Sequence, residues 1–570
     1  SLNMSNHYIT NSKYLIYGTV AGTVALLAAC LSLPMELPLG ESFWDTYIYI
    51  DGAHRLSIGQ EIYRDFHAPV GPLNYILFDL LGSVFPNGNV ALVIQWCMML
   101  VTLPVALVVS LHALQRGAFA AFCLLIPYLV FSILPFNVTS WNAFPGVDGF
   151  AYYNRHSSVL LYLLVATLFF VRSQAVLVGL VTVLLLSLAF VKINGFAVAG
   201  LILAFALVSR RIGVAASLMV AALCLLSVLV LEVLTGSVSA YLQSALRLLD
   251  ANDGVLLTNL VTTVSAHFDV ILAASLLAAY LLFSRWRGGE NLLTGFDRAH
   301  PRTPTPGQLD QDWLWVGVLA IANTVFESQN FGGAAFISAW PLLLVFLLAT
   351  EPERRMRVSP LLVLVALLVL PTATKVLHSA ARAAATGLKD VTIETAHLPP
   401  NMRFSAKDLA VTSAEKALPI MAAGRETYAQ YAEANILPAY WLYFDHRFQV
   451  NVLTTMDDVI GAIRRREAEL GHHYEVIDLR DFANPITAVM GRTPARGVSI
   501  GGDPYRAVLP LTREETAALS QTDIVLLPTC PLTAARKRLH DRYAEAYAGF
   551  SRIVLTDCFD ALEHPRFASP

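Results

Sequence analysis

Two carboxylates, Asp45 and Asp51, lie close together in a polar stretch near the start of the chain. Asp45 directly follows Phe43 and Trp44, and a carboxylate among aromatic side chains can have a raised pKa and act as a general base. Because Asp is also a favoured N-cap residue, Asp45 could instead cap the helix that follows it. The two interpretations are compatible, since an N-cap carboxylate points out of the end of its helix. Asp45 is therefore the first candidate base, and Asp51 is the competing one.

Cationic and hydrogen-bonding side chains stand beside later apolar runs. Asn154, Arg155 and His156 come directly before one run, and Lys192 separates two others. A lysine at membrane depth is costly and indicates a function, unless it only reaches the interface, where lysine is common. Arg155 could likewise be an ordinary interfacial anchor. If they are functional, such donors suit a phosphate or another group that becomes negative during a reaction.

The sequence positions of Glu327 and Arg55 are compatible with a role in ligand binding and also with a purely structural one. Glu327, close to Gln329 and Asn330, could hydrogen-bond the hydroxyl groups of a ligand, or could simply mark the end of an apolar segment. Arg55, on the helix after the candidate base, could face either the site or solvent. The sequence has no Cys/His spacing typical of zinc, so no metal or other cofactor is indicated, although a divalent ion is compatible with it.

The composition indicates what kind of molecule must position these residues. Of the 570 residues, 56% are apolar and 14% are charged, whereas a soluble globular protein has about 25% charged residues. These values exclude a soluble protein and a disordered chain, and a net charge of −3 gives no field that would gather a nucleic acid. Since a bilayer needs about 20 apolar residues per helix, the sequence predicts a polytopic α-helical membrane protein with about eleven transmembrane helices. The predicted spans are 14–33, 90–112, 117–135, 157–171, 174–191, 195–209, 213–234, 264–284, 313–328, 331–349 and 358–374.

Lysine and arginine mark one side of these spans. Lys13 precedes the first span, and arginine clusters follow alternate spans after it. With eleven spans all of them fall on the same side, which the positive-inside rule makes cytoplasmic. The clusters are Arg116, Arg172, Arg210/Arg211, Arg285/Arg287 with Arg298/Arg302, and Arg354/Arg355/Arg357. The sequence therefore predicts a multi-pass protein of a bacterial inner membrane with a cytoplasmic N-terminus.

The charge distribution divides the chain into a membrane domain, 1–375, and a polar domain, 376–570. An odd number of crossings places the polar domain in the periplasm, and the first outer loop, 34–89, carries the candidate base. The patterns of the polar domain are typical of an extracytoplasmic α/β domain. Its predicted strands are 474–479, 523–527 and 552–556, with a helix at 534–550. Cys530 and Cys558 each lie at a strand end, and whether they form a disulfide stays open at this stage.

Three short motifs follow one another along the outer loop: an acidic residue after the first span, a glycine–tyrosine turn, and a Pro-Leu-x-Tyr element that enters the next helix. The motif residues are Asp45, Gly59, Tyr63, Pro72, Leu73 and Tyr75. This order resembles the first periplasmic loop of GT-C membrane glycosyltransferases, such as protein O-mannosyltransferases and lipid A aminoarabinose transferases. By motif and topology the resemblance covers residues 10–210. Many relatives carry Asp-Glu where this chain has Asp45 and Thr46, which leaves Asp45 as the main acid.

The resemblance implies a GT-C-like fold and an enzyme that takes a sugar from a polyprenyl-phosphate carrier on the outer side of the membrane, usually with inversion. Asp45 would act as the general base on the acceptor hydroxyl. The donor phosphate would be bound by Arg155, Lys192 and His156, and the substrates by Arg55, Tyr63, Asn154 and Glu327. The leaving group is a phosphate, so no strong general acid is required. The expected partners are the lipid-linked donor, a lipid, glycan or protein acceptor, and membrane lipid.

A polysaccharide or lipid transporter or flippase is the alternative function. Such a protein would favour charged residues within its spans and repeated halves. The chain has no visible internal repeat and concentrates its polar residues in the outer loops. These features favour the glycosyltransferase.

Overall fold

The computed structural model describes residues 2–138, 145–252, 254–288, 309–330, 332–349, 360–438 and 445–567, with side chains from residue 10 onward. The first part is helical, because a chain in lipid must satisfy its backbone hydrogen bonds within its own segments. The helices of this part are α1 (Leu2–Ser32), α2 (Trp44–Ser57), α3 (Leu73–Val84), α4 (Val90–Cys97), α5 (Met99–Ala113), α6 (Ala118–Ile133), α7 (Tyr152–Phe170), α8 (Gln174–Val191), α9 (Ile193–Val208), α10 (Val214–Thr235), α11 (Ser237–Ala251), α12 (Leu256–Ala266), α13 (Phe268–Arg287), α14 (Asp312–Gln329), α15 (Trp340–Ala349) and α16 (Pro360–Gly387).

Six helices of the described chain are long and apolar enough to cross a membrane, namely α1, α5, α8, α10, α13 and α16. Shorter apolar helices, among them α6 and α9, accompany them. Every one of the eleven predicted spans overlaps a helix of the structure. The prediction of a mostly helical membrane protein is thus confirmed, and the number of crossings stays a prediction.

Several predicted spans differ from the helices that they overlap. The span 90–112 is divided into α4 and α5, and the span 264–284 includes the end of α12 as well as most of α13. Of the described residues of the span 331–349, only Trp340–Ala349 are α-helical, because Gly332 and Phe336 take left-handed backbone angles that interrupt a helix. The last span was expected to end at 374, but α16 continues to Gly387. Its final turns are rich in alanine, the best helix former, so the helix runs through the predicted domain boundary at 375.

The C-terminal part contains a five-stranded mixed sheet, in which β5 is parallel to both β6 and β8. The order of its strands is β6 (Thr493–Pro494), β5 (Val476–Leu479), β8 (Ile524–Pro528), β10 (Phe559–Glu563) and β9 (Ser551–Thr556). The predicted strand–helix–strand order is confirmed, although the helix expected at 534–550 ends at Tyr543. Cys530 and Cys558 form a disulfide. The elements of this part are β3 (Val391–Thr392), β4 (Phe404–Ala406), α17 (Asp408–Ala423), α18 (Arg425–Glu433), α19 (His446–Leu470), β5 (Val476–Leu479), α20 (Ile486–Val489), β6 (Thr493–Pro494), β7 (Val498–Ser499), α21 (Arg513–Leu519), β8 (Ile524–Pro528), α22 (Ala534–Tyr543), β9 (Ser551–Thr556) and β10 (Phe559–Glu563).

Two short strands tie the first outer loop to the C-terminal part. Strand β1 (Leu37–Pro38) pairs in parallel with β4, and β2 (Phe66–His67) pairs in parallel with β7. Helix α2 lies between β1 and β2 along the chain, so both of its flanks are joined to the C-terminal part. The loop that carries Asp45 is therefore built into that part as well as into the helical bundle.

Candidate active site

Asp45 lies in the first turn of α2 and is buried. The N-cap position of α2 is Phe43, and no side chain caps this helix, so Asp45 does not have the capping role in its own helix that the sequence also allowed. Its Oδ2 instead accepts a hydrogen bond of 2.6 Å from the backbone N–H of Ala151, and its Oδ1 accepts one of 3.3 Å from the Tyr153 hydroxyl. Ala151 is the N-cap residue of α7, where a negative charge is favoured by the helix dipole.

The segment before α7 presents that N–H group to Asp45. The Thr46 N–H donates to the Gly149 carbonyl oxygen at 3.2 Å, and the Gly149 N–H donates to the Ser42 carbonyl oxygen at 3.1 Å. A Cβ at Gly149 would lie 2.3 Å from the Phe43 ring, so only glycine allows this close approach. Ala151 itself has a φ of 63°, a left-handed value that is uncommon outside glycine and is frequent at functional sites.

Lys192 lies beside the Asp45 contacts, at the junction of α8 and α9. Its Nζ donates to Asn154 Oδ1 and to the Gln329 carbonyl oxygen, both at 3.1 Å, and lies 5.3 Å from the centre of the Tyr153 ring. The Tyr153 side chain thus contacts both the candidate base and the lysine. Three elements, α7, α14 and the α8–α9 junction, meet at this cation.

The outer loop fixes the junction that carries Lys192. The Gly71 N–H and the Asn74 side-chain amide each donate to the Val191 carbonyl oxygen at 2.9 Å. Asn74 Oδ1 in turn accepts a hydrogen bond of 3.1 Å from the Tyr49 hydroxyl of α2. Two residues that follow the Asp45 helix therefore hold the end of α8, which couples the lysine position to the outer loop.

Burial raises the pKa of the Asp45 carboxyl to about 6. The hydrogen bonds from Ala151 and Tyr153 and the positive charges of Lys192 and Arg155 act in the opposite direction, because they favour the carboxylate. A carboxyl group with a pKa just below neutrality is suited to accept a proton at the pH of the cell.

Arg155 and His156 contact Gln95 of α4. The guanidinium of Arg155 donates to Gln95 Oε1 at 2.9 and 3.1 Å, to the Phe150 carbonyl oxygen at 2.7 Å and to the Asp148 carbonyl oxygen at 3.1 Å. His156 Nε2 lies 3.0 Å from the Gln95 carbonyl oxygen. Arg155 thereby holds the segment that presents the Ala151 N–H, while its positive charge acts on Asp45.

Glu327 lies near the end of α14, two residues before the Gln329 carbonyl that Lys192 binds. It is buried, and its Oε2 lies 3.8 Å from Nε2 of His267, at the start of α13. In the described part of the chain, no hydrogen-bond partner reaches Glu327 Oε1. The carboxylate therefore has an unused acceptor beside the lysine-binding end of α14.

The other predicted site residues make different contacts. Asp51 and Arg55 form a buried ion pair of 2.8 Å on α2. The Tyr63 hydroxyl donates to the Val70 carbonyl oxygen at 2.6 Å, within the outer loop. The structure thus brings Asp45, Asn154 and Lys192 together with Glu327 close by, and places Asp51, Arg55 and Tyr63 in contacts of their own.

Solved structures resemble the chain over most of its length, at low sequence identity. No protein-family model matches the chain, and no curated protein matches it in sequence. ArnT from Cupriavidus metallidurans bound to undecaprenyl phosphate is 13% identical, with a TM-score of 0.42 over 97% of this chain and 99% of that chain. The archaeal oligosaccharyltransferase AglB from Archaeoglobus fulgidus, in complex with an inhibitory peptide and a dolichol-phosphate, is 11% identical, with a TM-score of 0.38 over 98% of this chain and 75% of that chain.

Both proteins are GT-C glycosyltransferases. This is the family that the outer loop of the chain resembles. With TM-scores below 0.5, neither structure assigns a role to a residue of this chain.

Several groups of the site carry no clear signal in the sequence. The Ala151 N–H is a main-chain group, which a residue type does not reveal. His267 and Arg506 are far from the motifs in sequence, yet His267 faces Glu327 and the positive charge of Arg506 acts on Lys192. Tyr153 lies within the aromatic run before Arg155, and only this position in the sequence indicated that it could belong to the site.

No metal centre is evident in the described ranges. Among those residues, no group of three or more His, Cys, Asp and Glu side chains is arranged to hold an ion. The expectation that the protein needs no metal stays a prediction.

Proposed function

We propose that the chain is a membrane glycosyltransferase that transfers a sugar from a polyprenyl-phosphate-linked donor to a hydroxyl acceptor, with Asp45 as general base. The observation that carries this proposal is the meeting of Asp45 and Lys192 at Tyr153. A base for a hydroxyl group and a cation for a leaving phosphate are the two groups that such a transfer needs. The acceptor is a lipid, a glycan or a protein on the periplasmic side.

The proposed reaction is a single displacement. The acceptor oxygen attacks the anomeric carbon while its proton passes to an Asp45 carboxylate oxygen. The bond from the anomeric carbon to the phosphate oxygen breaks, and the polyprenyl phosphate leaves with the electron pair. One displacement at carbon inverts its configuration, so an inverted product is expected. No group needs to protonate the leaving oxygen, because a phosphate carries the negative charge.

The cationic groups have separate parts in this proposal. Lys192 is the donor to the leaving phosphate, because its Nζ is held by one side-chain oxygen and one carbonyl oxygen that a stronger acceptor can replace. Arg155 supplies positive charge to the site while it stays bonded to Gln95, and the neighbouring His156 contacts the same Gln95. Asn154 and Glu327 offer oxygen atoms to sugar hydroxyl groups on the other side of the lysine.

The test is sugar transfer by the purified protein in proteoliposomes with polyprenyl-phosphate donors of several sugars. We expect Asp45→Asn to lower the transfer rate by about 10²- to 10⁴-fold, because the amide cannot accept the proton. The matched control is Asp79→Asn, which removes an exposed carboxylate of α3 and should leave the rate unchanged. A near-normal rate in Asp45→Asn would show that another group is the base.

A further inference from the structure

The first turn and the last turn of α2 have different environments. Asp45 in the first turn faces α7, whereas Asp51 and Arg55 further along the helix face the C-terminal part. Arg55 Nε lies 2.8 Å from Asp51 Oδ1, and both side chains are almost fully buried, with exposed fractions of 0% and 1%. Both residues of the pair belong to α2, one helical turn apart. The pair can therefore fix the position of α2 only through its contacts with other parts of the chain.

The contacts of the Arg55 end are with the segment around β6. Arg55 Nη1 donates to the Ala495 carbonyl oxygen at 2.7 Å, and the Gln60 side-chain amide donates to the Pro494 carbonyl oxygen at 2.9 Å. His54 Nε2 lies 2.6 Å from the Arg492 carbonyl oxygen. Two polar contacts from the last turn of α2 and one from Gln60, just after the helix, therefore join this end of α2 to the backbone of residues 492–495 in the C-terminal part.

The first turn of α2 is held by the same part through aromatic rings. The Trp44 ring lies 5.5 Å from the Phe482 ring and 6.1 Å from the Phe448 ring. Trp44 directly precedes Asp45, so the helix that carries the candidate base is fixed at both ends by the C-terminal part. Asp45 itself meets α7 at Ala151 and Tyr153.

We propose that Arg55, paired with Asp51, is a positioning residue that locks α2 onto the C-terminal part and thereby sets the distance of Asp45 from α7. This inference rests on the proposed function, because the value of that distance depends on the role of Asp45 as base. A buried ion pair is favourable only when its geometry is good, because both charges have lost their contact with water. Removing one partner leaves the other charge buried and uncompensated. A shift of about 1 Å at a reacting group can lower a rate by about 10²-fold.

The proposal gives Asp51 and Arg55 a task different from a direct role in base catalysis or substrate binding. A residue that binds substrate would change KM when altered. A residue that positions the base would change kcat and the pH dependence of kcat, with little effect on KM. The charged and titratable groups that face Asp45 are Lys192 and Arg155, with the hydroxyls of Tyr49, Tyr75, Tyr152 and Tyr153.

The experiment compares Arg55→Met, Arg55→Lys and Asp51→Asn with the natural protein. We expect Arg55→Met and Asp51→Asn to lower kcat by about 10²-fold at an almost unchanged KM and to move the acid limb of the pH profile, while Arg55→Lys keeps most of the rate. The matched control is Arg64→Met, which breaks the exposed ion pair with Glu61 in the same loop. A raised KM with an unchanged acid limb of the pH profile would overturn the proposal. A folded Arg55→Met variant whose kcat equals that of the natural protein would overturn it too.

A second readout does not depend on transfer. Hydrogen exchange of the Ala151 amide, which donates to Asp45, should be faster in Arg55→Met and Asp51→Asn than in Arg64→Met. Unchanged exchange in both variants would overturn the positioning role. Absence of transfer by the natural protein with every donor would instead count against the proposed function, while the exchange result still decides the positioning role. If Arg55→Met does not fold, Asp51→Asn takes its place as the variant that breaks the ion pair, and Arg55→Lys stays the variant that keeps it.

Discussion

Burial raises the pKa of the Asp45 carboxyl to about 6, and a general base works only in its deprotonated form. The transfer rate is therefore expected to be level at neutral pH and to fall about tenfold per pH unit below about pH 6. Tyr153→Phe removes a hydrogen bond to the carboxylate, so the midpoint should move to higher pH. The measurement is the initial rate at saturating donor from about pH 4 to about pH 8. A rate that stays level across this range would contradict Asp45 as base.

Lys192 provides a second prediction on a single residue. Lys192→Met keeps much of the volume of the side chain but removes the charge that is proposed to stabilise the leaving phosphate. We expect kcat to fall by about 10²-fold, as is found when one donor to a developing negative charge is lost. Lys389→Met removes an exposed lysine of the loop after α16 and should keep the natural rate. Equal rates in the two variants would show that Lys192 has no part in the transfer.

At this scale the sequence could predict residue types but not their partners. Asp45 was identifiable because an acid follows aromatic residues in a recognisable motif order. Arg155 was expected to face a phosphate, whereas its guanidinium is bonded to Gln95, 60 residues away. A long-range side-chain contact of this kind depends on the packing of α4 against α7, which no local pattern encodes. The role of each residue in substrate binding stays a proposal.

The close approach of the outer loop to α8 gives a prediction for a whole element. A Cβ at Gly71 would lie 2.0 Å from the Phe190 carbonyl oxygen, so Gly71→Ala must push the loop away from the end of α8. We expect a loss of about 1–3 kcal/mol in stability and a lower transfer rate, because the same contact fixes the Lys192 junction. Thermal unfolding and transfer are measured beside Gly179→Ala, which adds a methyl group on α8 where nothing lies within 4 Å. A natural melting temperature and rate in Gly71→Ala would contradict this account.

Apolar runs predicted where helices lie, because a run of about 20 apolar residues has few other stable structures in lipid. The extension of α16 to Gly387 was missed, since polar residues after 374 look like a loop when hydropathy alone is considered. Strands β1 and β2 were also missed, because each has two residues and forms only by pairing with a partner hundreds of residues away. The longer strands β5, β8 and β9 were predictable from their β-branched and aliphatic residues.

At the scale of the whole molecule, charged residues lie beside both ends of α7. The helix begins beside Asp45, has 19 residues and is about 28 Å long, close to the thickness of a bilayer core. At its other end, the guanidinium of Arg116 lies 5.6 Å from the Phe170 ring, and that of Arg211 lies 4.8 Å from the Phe169 ring. Two of the predicted cytoplasmic arginines thus lie at the end opposite the candidate site; Arg298, Arg302, Arg354, Arg355 and Arg357 are outside the described residues.

This separation leads to a prediction on the orientation of the molecule in the membrane. Lys13, in α1, belongs to the predicted cytoplasmic side, and Lys389, two residues before β3, belongs to the predicted periplasmic side. Both are exposed and can be replaced by cysteine after the free cysteines Cys30, Cys97, Cys123 and Cys224 are changed to alanine. We expect a membrane-impermeant maleimide to label Lys389→Cys in intact spheroplasts and Lys13→Cys only after permeabilisation.

The two labelling sites also report on the candidate site. Strand β3, next to Lys389, pairs with β4, and β4 pairs with β1 of the outer loop that leads to Asp45. Because these contacts join Lys389 to the Asp45 loop through one small sheet, labelling of Lys389→Cys from outside would place that loop on the outer side too. If only Lys13→Cys is labelled in intact spheroplasts, the orientation is the reverse of the predicted one. A donor on the outer leaflet could then not reach Asp45.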